Sequence, residues 1–397
     1  MITIADKVKC CGCQACANAC PKGCITMQAD EEGFLYPQID KASCVNCGLC
    51  EKVCPVLHKP STFPVLQTYA AKHTSSEIKL KSSSGGIFSA LAEIVLKEGG
   101  VVFGAGFDQE WKVVHSYAEN LKDLDQLRRS KYVQSDIGKT YQQAKQFLEQ
   151  GRAVLFTGTP CQIAGLRNYL GKEYEKLVTV ELFCHGVPSP AAWEKFLIEN
   201  TQKDKISAID FRHKRFGWDA SFLNISYADG TSVPRAPGLL RPILYAQKGR
   251  LFRRLYRLSF WISNLYERPS CHQCNFKGLD KLADFTMGDL WGVQQSYPDQ
   301  YDKWGTSVLL VNTPKAQALF SKLPLNARVI DIEQVAKYNP YLLASVKPHP
   351  KRAAFFARYK NENFNKLVQE LLDIKPLWVS VPLRVAKKIF PHFKQTK

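Results

Sequence analysis

The chain has 397 residues, 45% of them hydrophobic and 11% aromatic, which supports two or three folded domains and excludes a globally disordered protein. No run of about 20 apolar residues occurs, so no membrane-spanning helix is expected, and the opening "MITIADKVKCC" has no apolar export signal. The net charge of +18 favours an acidic partner, and 14 cysteines outside a secretory context point to metal ligands in a reducing cytoplasm rather than disulfides.

Residues 1–58 form a cysteine-rich module with an internal repeat. Cys10, Cys13, Cys16 and Cys20 follow the spacing C-x2-C-x2-C-x3-C, with Pro21 next. Cys44, Cys47, Cys50 and Cys54 repeat it, with Pro55 next. This is the bacterial two-cluster ferredoxin pattern, in which three close thiolates hold a 4Fe-4S cube and the fourth ligand comes from the other motif. One cluster is therefore expected on Cys10, Cys13, Cys16 and Cys54, and the other on Cys44, Cys47, Cys50 and Cys20. Zinc sites use paired C-x2-C units instead. Cys11 and Cys24 fall outside the spacing and are expected to pack beside the clusters. Between the motifs, "ITMQADEEGFLYPQI" predicts a hairpin.

Residues 59–67, "KPSTFPVLQ", carry two prolines and read as a linker. A mixed pattern follows. "TYAAKH" predicts a strand, "GGIFSALAEIVLKEG" a helix stopped at Gly99-Gly100, and "VVFGAGF" a strand. "GKTYQQAKQFLEQG" predicts a helix and "AVLFTG" a buried strand. "LVTVELFC" predicts a second buried strand ending at Cys184, before the turn "HGVP". Alternating helix and strand implies at least partly parallel pairing. "LLRPILYAQKGRLFRRLYRLSFWISNLYERP" predicts a broken basic helix that packs on the core or rests on anionic lipid. "SVLLVN" predicts a strand, and the last 60 residues predict helical turns broken by proline, with no acid after Asp373. The fold class expected is mixed α+β and α/β. Its expected divisions are 1–58 ferredoxin-type, 59–67 linker, 68–150 and 151–330 α/β regions, and 331–397 a helical basic tail.

Four cysteines remain. Thr159 suits an N-cap and Pro160 the first helical position, so Cys161 falls in a first turn, where a thiolate is stabilised. Cys184 follows a strand, and Cys271 and Cys274 form a lone C-x2-C in "RPSCHQC". Three readings are open. Cys161 is a nucleophile with His185 as base, the four are unrelated buried cysteines, or they form one site for zinc or a third 4Fe-4S cluster. No G-x-G-x-x-G follows a strand and opens a helix, so a Rossmann nucleotide site is not expected. "SSSGGIF" is the better cradle: Ser82, Ser83 and Ser84 offer hydroxyls, and Gly85 and Gly86 let a ligand approach a helix start. Lys131 offers a cation. Asp289 and Trp291 follow a strand. Arg212, His213, Lys214 and Arg215 either hold an acidic substrate or form a solvated turn.

Seven motifs run in order from Tyr69 to about Asn312. They are "SSSGGIFSAL" at 82–91, "SKYVQS" at 130–135, "FTGTPCQIAGLR" at 156–167, "FCHGVPS" at 183–189, "FRHKRFGW" at 211–218, "RPSCHQCNF" at 268–276 and "ADFTMGDLWG" at 283–292. Through them the chain resembles the coenzyme F420 hydrogenase/dehydrogenase beta-subunit family. The resemblance implies a flavin-binding α/β region of non-Rossmann type beside a 4Fe-4S cluster on Cys161, Cys184, Cys271 and Cys274. It implies FAD, with FMN as the alternative, held by Ser83, Ser84, Gly85, Gly86, Lys131, Tyr132, Thr157, Gly158, Thr159, Pro160, Gly186 and Asp289. The implied activity is a cytoplasmic oxidoreductase passing electrons between ferredoxin-type clusters and a flavin that acts on an F420-like coenzyme or another organic acceptor. Surface-polysaccharide metabolism is one setting for it. The partners expected are a redox protein or ferredoxin and a small-molecule or coenzyme substrate, with no nucleic acid, and peripheral membrane contact through the basic tail. The alternative is an electron-transfer adaptor subunit with no substrate of its own.

Overall fold

The computed structural model describes residues 2, 6–233 and 263–374. Most of the predicted basic helix, and the tail beyond residue 374, lie outside the described residues. Between the cysteine motifs, β1 (Ile25–Ala29) and β2 (Leu35–Ile39) form the expected antiparallel hairpin, with Ile25 opposite Ile39. Two short helices, α1 (Ala15–Ala19) and α2 (Leu49–Lys52), carry Cys16 and Cys50.

An eight-stranded sheet forms the body. Its strands are β3 (Gln67–His73), β4 (Val101–Phe107), β5 (Val113–Ala118), β6 (Val154–Gly158), β7 (Leu177–Leu182) and, further on, β11 (Phe285–Asp289), β12 (Ser307–Val311) and β13 (Leu325–Val329). Their order is β13-β3-β12-β11-β7-β6-β4-β5. The central four, β11, β7, β6 and β4, run parallel, and the outer pairings are antiparallel. Parallel strands covered on both faces read as unbroken apolar runs. Val101, Val102, Phe103, Val154, Leu155 and Phe156 are accordingly all fully buried. A separate antiparallel sheet holds β8 (Ile206–His213), β9 (Phe222–Tyr227) and β10 (Ser232–Val233).

The helices of this region are α3 (Ser76–Leu80), α4 (Ile87–Lys97), α5 (Thr140–Glu149), α6 (Pro160–Leu170) and α7 (Pro190–Asn200). They cover the two faces as strand alternation requires. Leu91 and Val95 of α4 pack with Val102 and Leu155 on one side. Tyr141 of α5 and Ile163 of α6 pack with Phe103 and Phe156 on the other. Helix α6 starts where the sequence predicts: Pro160 takes its first position and the Thr159 amide donates to Gln162 Oε1 at 2.9 Å.

One expectation needs correction. The strand before Cys184 stops at Leu182. The Phe183 amide still donates to Met287 O at 2.9 Å, and Cys184 leaves the sheet in an irregular segment. The predicted linker is held in place rather than free. The Phe63 amide donates to Lys281 O at 2.7 Å, the Phe63 ring lies 4.6 Å from the Arg167 guanidinium, and Gln67 already belongs to β3. Strands β5, β8, β9, β10 and β13 were not among the predicted elements.

The cysteine-rich module is docked on this body. Arg352 makes a two-pronged ion pair with Glu32, and Ser189 Oγ and Tyr359 Oη donate to Glu32 O and Glu31 O, both at 2.5 Å. Gln14 Nε2 donates to Asp136 Oδ1 at 2.7 Å, and Asn18 Nδ2 to Gly138 O at 2.9 Å. Among the described residues no helix is long and apolar enough to cross a membrane.

Candidate functional site: three thiol groups and an adjoining cavity

The cysteines fall into three groups. Cys20, Cys44, Cys47 and Cys50 line one small cavity, so the last cysteine of the first motif joins the second motif. Cys10 is an electrostatic neighbour of Cys13, Cys16 and Cys54, Cys16 also neighbours Cys13 and Cys54, and Cys50 lies close to Cys16 and Cys54 as well. Burial, then Cys10 and Cys54, push the Cys16 thiol up to about 12. Cys24 packs against Cys20, its sulfur 3.3 Å away. Cys11 does not simply pack beside the first group: its thiol neighbours both Cys13 and Cys161.

The third group is assembled from three segments. Cys161 in the first turn of α6, Cys184 after β7, and Cys271 and Cys274 after residue 268 line a single cavity of about 730 Å³, whose wall Cys11 and Cys54 also join. Burial pushes the Cys184 thiol up to about 12, and Cys161 and Cys274 add repulsion, against the opposing pull of Lys277. Four thiolates can share such a space only around a multiply charged cation or cluster. Among the described residues no three His, Cys, Asp or Glu side chains are placed to hold a single metal ion. His185 is not aimed at Cys161 as a base: its Nε2 lies 2.5 Å from Asn264 Oδ1, and its ring meets the Tyr341 edge.

A second cavity, of about 270 Å³, adjoins the first. The two share the wall from Leu182 to Val187, which includes Cys184. Ten of the twelve residues expected to contact a flavin line this second cavity: Ser83, Ser84, Gly86, Lys131, Tyr132, Thr157, Gly158, Thr159, Gly186 and Asp289. Pro160 faces the cysteine cavity instead. Gly85 lies behind the wall, where a Cβ would come within 2.6 Å of Ala71 O, so it shapes the cradle from below.

The polar groups of the cavity are less free than the sequence implies. Ser84 Oγ donates to Thr306 O at 3.1 Å and Ser82 Oγ to Ile78 O at 2.7 Å, which commits both hydroxyl protons. Ser83 Oγ accepts from the Ser130 amide at 2.7 Å and keeps its proton to donate. Lys131 Nζ donates to Arg128 O and Gln126 O, at 2.7 and 3.1 Å. Burial, then Arg129, pull its ammonium down to about 7. The "FRHKRFGW" segment is neither a solvated turn nor an open anion site at its centre. Arg212 is buried and donates to Asp289 Oδ2 at 2.7 Å and Tyr132 Oη at 3.0 Å. Lys214 is buried and donates to three backbone carbonyls, of Lys79, Ser84 and Trp304. Asp289 also accepts from Trp218 Nε1 at 3.1 Å, so it anchors the wall.

His115 was missed by sequence reasoning. It sits on β5, an element the sequence did not reveal, and lines the second cavity. Its Nε2 donates to Thr157 O at 3.0 Å, which leaves Nδ1 to accept from Ser135 Oγ at 2.8 Å. Ser135 in turn accepts from Gln162 Nε2 at 3.0 Å, tying the network to the cap of α6. Burial pulls the His115 imidazole down to about 4, so it is neutral in the folded chain. The unfolded imidazole takes a proton below its ordinary value, so stability is full above about 6.5 and falls as pH drops towards 4. The expected loss by about pH 5 is roughly 2 kcal/mol. Thermal midpoints measured from neutral pH downwards should fall more steeply for wild type than for His115→Gln, and parallel curves would exclude this source.

A doubled cysteine motif docked on a mixed sheet, with a third thiol group inside it, defines an iron–sulfur electron-transfer protein. Residues 9–57 match a 4Fe-4S dicluster domain. Residues 68–141 and 151–337 match the N-terminal and C-terminal regions of the coenzyme F420 hydrogenase/dehydrogenase beta subunit. The chain belongs to that family. A comparison with curated proteins finds no match. Among solved structures, the chain is similar to one from the F420-reducing NiFe hydrogenase complex of Methanosarcina barkeri, with 21% identity, coverage of 79% of this chain and 94% of that chain, and a TM-score of 0.43.

Proposed function

We propose that the chain is an iron–sulfur flavoprotein oxidoreductase. In this reading Cys10, Cys13, Cys16 and Cys54 hold the first cluster, and Cys20, Cys44, Cys47 and Cys50 hold the second. Cys161, Cys184, Cys271 and Cys274 hold a third, and the adjoining cavity takes the ring system of FAD or FMN. The observation that carries this reading is the shared wall: Leu182 to Val187 face the cysteine-lined cavity on one side and the serine–glycine cavity on the other. Ligand pockets typically span about 300–1,000 Å³, so about 270 Å³ suits a ring system better than a whole dinucleotide.

Ser83 and the backbone at Gly86 and Gly158 would contact the flavin, while Arg212 holds Asp289 and Tyr132 in place behind it. A bound flavin supplies the exchange between one-electron and two-electron chemistry. The cysteine-rich module receives electrons singly from a redox protein at its Cys47 face, which is exposed. The acceptor is an F420-like coenzyme or another organic molecule. The units proposed are the ferredoxin module at 1–58, the two family regions, and the basic tail, which would bring the protein to an anionic membrane surface.

Anaerobic purification with iron, sulfide and flavin quantification tests this reading. About twelve irons and about one flavin per chain are expected from three cubanes. About eight irons would remove the third cluster from the account. Clusters without flavin would favour the second reading, an adaptor subunit that hands electrons to a catalytic partner. The observation favouring it is the apolar surface at Val45 and Leu49, both more than one-third exposed beside Cys47.

A further inference from the structure

Arg268 is fully buried, yet among the described residues no carboxylate stands opposite it. Its Nε donates to Cys10 O at 2.8 Å, Nη1 to Gln134 Oε1 at 2.9 Å, and Nη2 to Leu35 O at 2.9 Å. Nη2 also points at Cys10 Sγ, 3.7 Å away. The rings of Tyr36 and Phe34 lie 4.3 and 5.3 Å from the guanidinium carbon. A guanidinium stays protonated in a protein, and a buried charge needs a counter-charge. The neutral acceptors around it supply none. What remains is the sulfur side, where a cubane with four thiolate ligands is a net anion.

The internal repeat provides a built-in comparison. Cys44 stands in the second motif where Cys10 stands in the first. Its thiol reaches the side-chain oxygen of Asn46, at 3.8 Å, and the neighbouring Cys24 thiol, neither of which is a cation. The two halves share one ligand spacing and have opposite surroundings. A hydrogen bond and a fixed positive charge at a ligand sulfur both favour the reduced, more negative cluster. Burial works the other way, and the contact with the Arg268 guanidinium opposes it. The Arg268 backbone also belongs to the third group: its carbonyl accepts from the Cys271 amide at 2.9 Å.

We propose that Arg268 is a positioning residue that holds the first ferredoxin cluster at a higher reduction potential than the second, so that electrons entering at the exposed half drain inward. In that step one electron leaves the second cluster, which is oxidised, and enters the first, which is reduced; no bond breaks and no proton moves. Arg268 can act this way only where the clusters sit on the cysteine sets proposed above.

The test is an EPR-monitored dithionite titration of the full-length holoprotein. Cys47→Ser marks the signal of the exposed half, and Cys161→Ser marks that of the third group. Wild type should show two resolved ferredoxin midpoints, with the Cys47-sensitive one lower. Arg268→Gln should shift the other midpoint down and close the gap at unchanged iron content, and Arg268→Lys should restore most of it. Coincident or inverted midpoints in wild type, or a gap that Arg268→Gln leaves intact, overturns the assignment. If Arg268→Gln does not fold, the order of midpoints in wild type and in Arg268→Lys decides alone. Wild-type iron below about eight per chain would instead overturn the cluster assignment itself.

Discussion

Cys161→Ser is expected to remove about four of about twelve irons while leaving the two ferredoxin clusters in place. The substitution changes one atom in size and chemistry. Thr159 and Gln162 still close the start of α6, so the helix forms as before. An alcohol does not ionise near neutral pH and is a poor ligand for iron, so the other three sulfurs lose the geometry of a four-point site. Electron flow into the second cavity should slow, because the cavity that Cys161 lines shares the wall from Leu182 to Val187 with it. Iron and sulfide content, with the rate at which dithionite reduces bound flavin, would measure both effects. The nucleophile reading predicts a different result: full iron content with lost turnover. Unchanged iron would therefore return Cys161 to that reading.

Much of this organisation is legible in the sequence, and the reason is local. The cysteine spacing needs only about a dozen residues to be recognised. Strands β4 and β6 are unbroken apolar runs, and α4 and α5 run into glycines that stop them. The misses are long-range. Arg212 and Lys214 read as surface residues because charged side chains usually are. Arg212 is buried because Asp289, 77 positions away, accepts its hydrogen bond. Strand β8 carries polar residues on a half-exposed sheet and has no clean period. Nothing local marks Arg268, whose partner Cys10 lies 258 positions away. Cys184 was placed on a strand because "LVTVELFC" stays apolar past the last ladder bond.

One contact between the ferredoxin module and α6 depends on a residue without a side chain. Gly165 lies one helical turn after Cys161 on α6, a rise of about 6 Å along the same face. A Cβ there would sit 3.0 Å from both Cβ and Sγ of Cys13, and 3.1 Å from Tyr141 Oη. The helix that presents Cys161 to the third group is thus in contact with a cysteine of the first. Gly165→Ala should be tolerated. Neighbours must give by a few tenths of an ångström, and alanine returns up to about 1 kcal/mol of helix propensity. Gly165→Leu has no such room. Overpacking of this kind costs about 1–3 kcal/mol or more, and here the strain falls on a ligand sulfur. The leucine variant is expected to lose about four irons, those of the first cluster, and to slow reduction of the interior about tenfold or more by external dithionite. The far-ultraviolet circular dichroism should stay near wild type, since α6 remains helical. A leucine variant with full iron and wild-type reduction rates would mean that α6 and the first motif are not in contact in solution. The electron route through this helix turn would then have to be abandoned.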